Sequence, residues 1–449
     1  MKIHPEAARA LNALADSITV SATKPPPNPD GPAWGQQHIG AHITDGDIIG
    51  RPQMFITDQF GNKGAFYTYI GDEPFGIEGN EFTKFLKLVD RVIAVPEFNR
   101  SLSNEYVETA IIDWCVDKTE RQDGATETFS DFILRRAKKD VTYHQIWIPI
   151  AHLQVEEDFQ FGDVKIITIP KSLFDAREQQ ALREHPDDAA KIGPYIEQQF
   201  RQVLQGNAAV ALSIKGEERY AQDRARVIAR DALGLLRFFH PAMFTSKMFC
   251  PSALLGSEFL PKKASLTIVG VNEFSYSRSI AHLHGEPWRL SQQELAYHRS
   301  SGSLDLAARL VSVDGLSEFG LRVRSSILTY SRGLTFPDIS DRLVYSLSAL
   351  EGLYLRDASE PIQQNLADRL AFTAYTDTND RIKVAANCKK VYGARSQYIH
   401  HGRNAALPPE ELDQFFLNAW AGLQSSLRHA FKFKTSDEFF TAIDRLKFS

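Results

Sequence analysis

Arg395 and His400 lie five residues apart in the run Tyr392-Gly393-Ala394-Arg395-Ser396-Gln397-Tyr398-Ile399-His400-His401-Gly402. An imidazole titrates near neutral pH and can move protons. A guanidinium stays charged and grips phosphate oxygens through a planar fork. Together they suit chemistry at a phosphodiester, where charge placed in advance is usually the largest catalytic contribution. The spacing adds a constraint, because on a regular helix five residues rotate by about 140° and rise about 7.5 Å. The two side chains therefore do not share a face. Either the helix bends between them, or two copies of the chain pool their residues across a twofold axis.

The surroundings offer supporting groups and bland alternatives. Between Arg381 and Arg403 the basic residues are Arg381, Lys383, Lys389, Lys390, Arg395 and Arg403, with no acid among them. Such a strip suits a polyanion, and Lys389, Lys390 and Arg403 are its candidate RNA contacts. A charge run of this kind is also what an ordinary solvated helix face looks like. Arg395 has a plainer use as the ion-pair partner of Glu351. Glu351 falls on the apolar side of its own helix, where a carboxylate is costly unless paired; it is either such a partner, the expected role, or an orienter of the site. Tyr392 is expected in the core rather than in the chemistry. His282, His284, Glu286 and His298 have ligand-type side chains, but their spacing sits in a poorly patterned stretch and no metal site is expected there. No phosphate-binding glycine loop, dinucleotide fingerprint, zinc-protease or serine-hydrolase motif is present, so no cofactor is expected.

These side chains must be carried by elements. Met1 to Ala15 reads as a short amphipathic helix, and the proline-rich run 24–32 as an extended connector. Residues 54–56, 65–70, 145–150 and 163–169 are rich in β-branched and aromatic types and read as strands, with turns at Gly61-Asn62 and Gly162-Asp163. The helix expected in this region runs from Glu81 to Val95, and the basic cluster Arg135-Arg136-Ala137-Lys138-Lys139 reads as a solvated turn. From Ser172 to about Phe239 the pattern is helical, followed by a strand at 265–271 and a weakly patterned stretch over 272–312. Beyond Asp314-Gly315 five amphipathic segments are expected, at 316–333, 338–355, 362–375, 380–401 and from Pro408 onward. The expected fold class is α+β: a strand-rich mixed N-terminal domain over 1–171, a helical segment with mixed connector over 172–314 attached to it, and an all-α bundle over 315–449.

With the bundle in place, the R-x4-H run resembles the motif of HEPN domains. Its preceding tyrosine and following His-Gly resemble the Apea-like branch, and Ala349-Leu350-Glu351 stands where those helices often carry the same tripeptide. The resemblance covers roughly 315–435. It implies a homodimeric, metal-independent RNA endonuclease with a composite cleft, in which the 2′-OH attacks the phosphodiester to leave a 2′,3′-cyclic phosphate and a 5′-OH end. Arg395 and His400 would be catalytic, with Ser396, where the family has a small polar residue, His401, Glu351 and Tyr392 in support. His401-Gly402 can also be aligned to the family's His-Gly, which makes the spacing x5. Nucleases of this kind are often regulated toxins of antiphage or stress defence that cut tRNA or other RNA, and residues 1–312 would then be the sensor or regulator that answers a phage- or stress-derived trigger. The alternative is a non-catalytic HEPN platform for dimerisation or binding with a ligand-sensing N-terminal domain; a further one is a regulatory protein whose N-terminal domain does the main work.

Composition bounds these readings. The 449 residues suffice for two or three domains, and 43% apolar with 24% charged is ordinary for a globular chain. The net charge of −5 excludes a polybasic nucleic-acid binder, so any RNA contact must be local. Cys115, Cys250 and Cys388 are far apart, which suggests neither a disulfide framework nor a zinc ribbon. With no secretory-type apolar run at the N-terminus and none of about 18 residues anywhere, no membrane partner is expected and a cytoplasmic location is the simplest.

Overall fold

The computed structural model describes residues 1–21, 53–57, 60–70, 73–120, 127–184, 186–256, 262–269, 273–280, 287–357, 359–401 and 407–447. The chain is divided into two units, one formed by 1–144 with 213–224 and the other by 145–212 with 225–449.

The first unit opens with α1 (Pro5–Asp16), followed by β1 (Gln53–Thr57), β2 (Lys63–Ile70) and β3 (Glu73–Glu78). These strands form an antiparallel sheet in the order β1-β2-β3, with Gly61 at φ 81° in the β1–β2 turn, where a left-handed backbone favours glycine. α2 (Gly79–Ile93), the short α3 (Pro96–Asn99), α4 (Asn104–Glu120) and α5 (Phe129–Asp140) complete it. Phe66, Phe82, Phe85, Ile111, Trp114 and Ile133 meet in one core. α2 was legible, whereas α4 and α5 were not expected. In α4, Val107, Ala110, Ile111, Ile112, Trp114, Cys115 and Val116 are all buried, so the helix is apolar around most of its circumference and shows no stripe. The basic cluster is not a turn but the end of α5. There Arg135 pairs with Glu127 at 2.8 Å and Arg136 with Asp113, while Lys138 and Lys139 are exposed.

The second unit contains most of a five-stranded sheet. Its strands are β4 (Thr142–Ala151), β6 (Phe159–Phe161), β7 (Val164–Thr168), β8 (Ala208–Gly216) and β9 (Ala253–Leu254), in the order β6-β7-β8-β4-β9. β5 (Leu153–Val155) pairs in parallel with β12 (Trp288–Leu290), and β10 (Lys262–Val269) pairs antiparallel with β11 (Glu273–Ile280). Helices α6 (Lys171–Glu184), α7 (Ala189–Ile196) and α8 (Gln202–Leu204) separate β7 from β8, and α9 (Glu218–Leu236) follows it. The strand β8 interrupts the stretch expected to be wholly helical. Ala208, Ala209 and Val210 are consecutive and fully buried, as in a central strand covered on both faces, and such an apolar run has no period to distinguish it from a helix.

α10 (Gln292–Ser300) and α11 (Ser303–Arg309) precede the bundle. α10 starts on a capping box between Ser291 and Glu294. The bundle helices are α12 (Glu318–Gly333), α13 (Ile339–Tyr354), α14 (Ile362–Ala374), α15 (Thr378–His401), α16 (Pro409–His429) and α17 (Ser436–Lys447). The first five fall where the periodicity placed them; α17 is additional. Fold class is therefore α+β, with a sheet-containing N-terminal region and a helical C-terminal region. The two units meet along the chain at 144, 212 and 224, and both 145–212 and 225–314 fall in the same unit as the bundle. Among the described residues no helix is long and apolar enough to cross a membrane. The proline-rich connector, His282, His284 and Glu286 lie outside the described residues. His298 sits in α10 with its ring 4.6 Å from that of Phe239, and no cluster of metal-ligand side chains occurs among the described residues.

Candidate active site at the Arg395 face

α13 and α15 position the candidate residues. α13 begins at Asp338, whose carboxylate accepts the amides of Ser340 at 2.8 Å and Asp341 at 3.2 Å. Leu343, Leu347, Leu350 and Tyr354 bury its core face, and Glu351 emerges half-buried beside Leu350. α15 begins where Asp377 accepts the amides of Asn379 and Asp380. Val384, Cys388 and Val391 are buried, and Arg395 continues that stripe at the next four-residue step. The stripe explains why the arginine is only 17% exposed.

Nη1 of Arg395 stands 4.0 Å from Oε1 of Glu351, too far for a hydrogen bond. Its Nε is buried and has no acceptor among the described residues. The guanidinium also lies 5.8 Å from the Tyr392 ring. Burial, and after it the charge and hydrogen bond of Glu351, push the Tyr392 hydroxyl above its ordinary pKa, so the phenol stays protonated and directed at the carboxylate. Arg395, Glu351 and Tyr392 thus form one cluster, with the carboxylate shared by the other two. Ser396 is half-buried on the same helix.

The backbone from Arg395 to His401 is α-helical throughout. Within one copy the positions of Arg395 and His400 remain about 140° apart around the axis. The side chains of 397–401, including His400 and His401, and the whole of Arg403 lie outside the described residues.

The basic strip is partly neutralised by its surroundings. Lys390 pairs with Glu411 of α16 at 2.8 Å, and Lys383 lies 3.5 Å from Asp380. Arg381 donates to the Tyr375 carbonyl and covers the Phe372 ring. Lys389 is half-buried and has no ion-pair partner among the described residues. Two bundle arginines were not singled out in the sequence. Arg342 is 1% exposed and donates to the carbonyls of Met248, Ala242 and Thr245. Arg369 pairs with both oxygens of Glu360 at 2.7 and 2.8 Å, and its hydrogen bonds hold that carboxyl down to about 2. Both serve packing, and no neighbouring residue type marks them as buried.

No family model matches this chain, and no curated protein or solved structure does either.

Proposed function

We propose that the bundle is a metal-independent RNA endonuclease of the HEPN type, acting as a cytoplasmic homodimer and regulated through the rest of the chain. The observation that carries this reading is Arg395: a largely buried guanidinium whose Nε has no acceptor among the described residues and which stands 4.0 Å from Glu351, short of hydrogen-bond contact. A buried donor left open is costly, and a phosphate oxygen would satisfy it. In the proposed reaction the His400 imidazole takes the 2′-OH proton, the 2′-oxygen bonds to phosphorus, the bond from phosphorus to the 5′-oxygen breaks, and that oxygen leaves with a proton from the resulting imidazolium. Arg395 neutralises the non-bridging oxygens, while Glu351 and Tyr392 orient it. Two copies joined about a twofold axis would bring Arg395 of one toward His400 of the other and so gather residues that one helix carries on different faces. Regulated cleavage of tRNA or other RNA in antiphage or stress defence is the biological role that goes with this reading.

The test is incubation of the purified chain with total and transfer RNA, followed by mapping of the ends. Cleavage leaving 2′,3′-cyclic phosphate and unaffected by chelator is expected. Arg395→Ala and His400→Ala should each lower the rate by at least about a hundredfold, with unchanged circular dichroism. Full cleavage by either variant ends the site assignment, and strong chelator inhibition favours metal chemistry.

The proximity of Glu351 supports a second reading, a non-catalytic platform in which the pair only ties α13 to α15. A double-mutant cycle on thermal stability separates the two. A purely structural pair gives strong coupling between Arg395→Ala and Glu351→Gln in a protein that cuts no RNA.

A further inference from the structure

α9 and α12 border a half-open cavity of about 590 Å³ within the second unit. Arg226, Arg230 and Arg237 line it from the α9 side, Arg324 and Arg332 from α12. The first three recur at steps of four and seven, so they share one stripe of α9 and its continuation. Opposing these five cations among the described residues is one lining carboxylate, Asp231, which is shared by Arg324 at 2.6 Å and Arg230 at 3.3 Å. Arg237 donates through Nε and Nη2 to the Ser252 carbonyl and has no carboxylate partner among the described residues. Arg226 has none either, and it is exposed at the rim beside Arg230. The remaining wall is apolar, with Leu233, Leu255 and Leu328.

We propose that this cavity is a binding site for a nucleotide carrying two or three phosphates. Five arginines facing one carboxylate leave a net positive charge among the described lining residues, which calls for a multiply charged anion, and arginine forks match phosphate oxygens. A single carboxylate would engage only part of a stripe that runs about 16 Å along the helix. The volume falls within the range of small-molecule pockets, and the leucine wall gives the base somewhere to lie. A concave site with an apolar wall suits a small molecule better than a nucleic-acid strand, which would track an open groove. This site stands apart from the Arg395 face, and the inference does not rest on the nuclease reading.

Calorimetry on the full chain provides the test, with ATP, GTP, pyrophosphate, adenosine and a short single-stranded RNA as probes. Saturable one-to-one binding of ATP or GTP is expected, with weaker binding of pyrophosphate and none of adenosine. Arg226→Glu with Arg230→Glu, two exposed positions, should weaken nucleotide binding by roughly tenfold or more with an unchanged melting temperature. The His400→Ala protein should bind as the parent does, so the result is independent of any RNA cleavage. Absence of nucleotide binding at millimolar concentration overturns the proposal. So does binding unaffected by the double reversal, or RNA binding tighter than the nucleotide and competing with it.

Discussion

His240 is a neutral histidine held among cations. Its Nδ1 accepts the amide of Ala242 at 3.0 Å, its ring meets Trp288 edge-on, and it is 6% exposed. Burial first, and then the charges of Arg237 and Arg342, pull its pKa down to about 3. In the unfolded chain a histidine titrates near 6.5, so the folded value is depressed. Stability from this group is complete above about pH 6.5 and is lost as the pH falls toward 3, by about 1.4 kcal/mol per pH unit. His298 and His429 are also held below the ordinary value by burial and act with the same sign. The melting temperature should therefore drop on acidification from pH 7 to 5, and His240→Asn should flatten that drop. An unaltered slope in the variant would show that His240 is not the main group. Nothing in the sequence marks this residue, since its properties come from neighbours at 237, 288 and 342.

Among the elements, the β6–β7 turn is packed closely. Gly162 has φ 63°, and a Cβ there would come within 2.3 Å of the Ala308 carbonyl oxygen at the end of α11. The left-handed backbone alone costs a side chain about 1–2 kcal/mol, and the backbone clash adds to it. Gly162→Ala should lower stability by more than this conformational cost, as read by urea denaturation; a change within about 0.5 kcal/mol would contradict the packing described. The turn at Gly162-Asp163 was legible because turn chemistry is local. Helices α12 to α16 were legible for a related reason: each buries one face, and Val384, Cys388 and Val391 show the period plainly. α4 and β8 were hidden because burial on nearly all sides erases the period. The surroundings of Arg395 were partly legible. Glu351, the ion-pair partner expected for it, stands 4.0 Å away, but the pairing of Lys390 with Glu411 came from a helix that is distant in sequence.

On the scale of the whole molecule, the bundle is not a module beginning at 315. Arg342 is satisfied by carbonyls at 242, 245 and 248, and the Tyr330 hydroxyl donates to the Met243 carbonyl at 3.0 Å. Arg324 reaches back to Asp231. A fragment comprising 315–449 would leave a buried arginine and a buried tyrosine without their acceptors, a loss of several kcal/mol. Such a fragment should be aggregated or lack a cooperative thermal transition, whereas the full chain melts cooperatively. A well-folded, soluble fragment would refute this dependence.

The first unit takes its last piece, 213–224, from beyond a long excursion into the second. During synthesis it therefore waits, unfinished, until some eighty further residues have left the ribosome. A protease nick after residue 144 would not set it loose as a self-contained product, because one of its parts would remain on the other fragment. The backbone passes between the units three times, at 144, 212 and 224, so each is tethered to the other by more than a single linker.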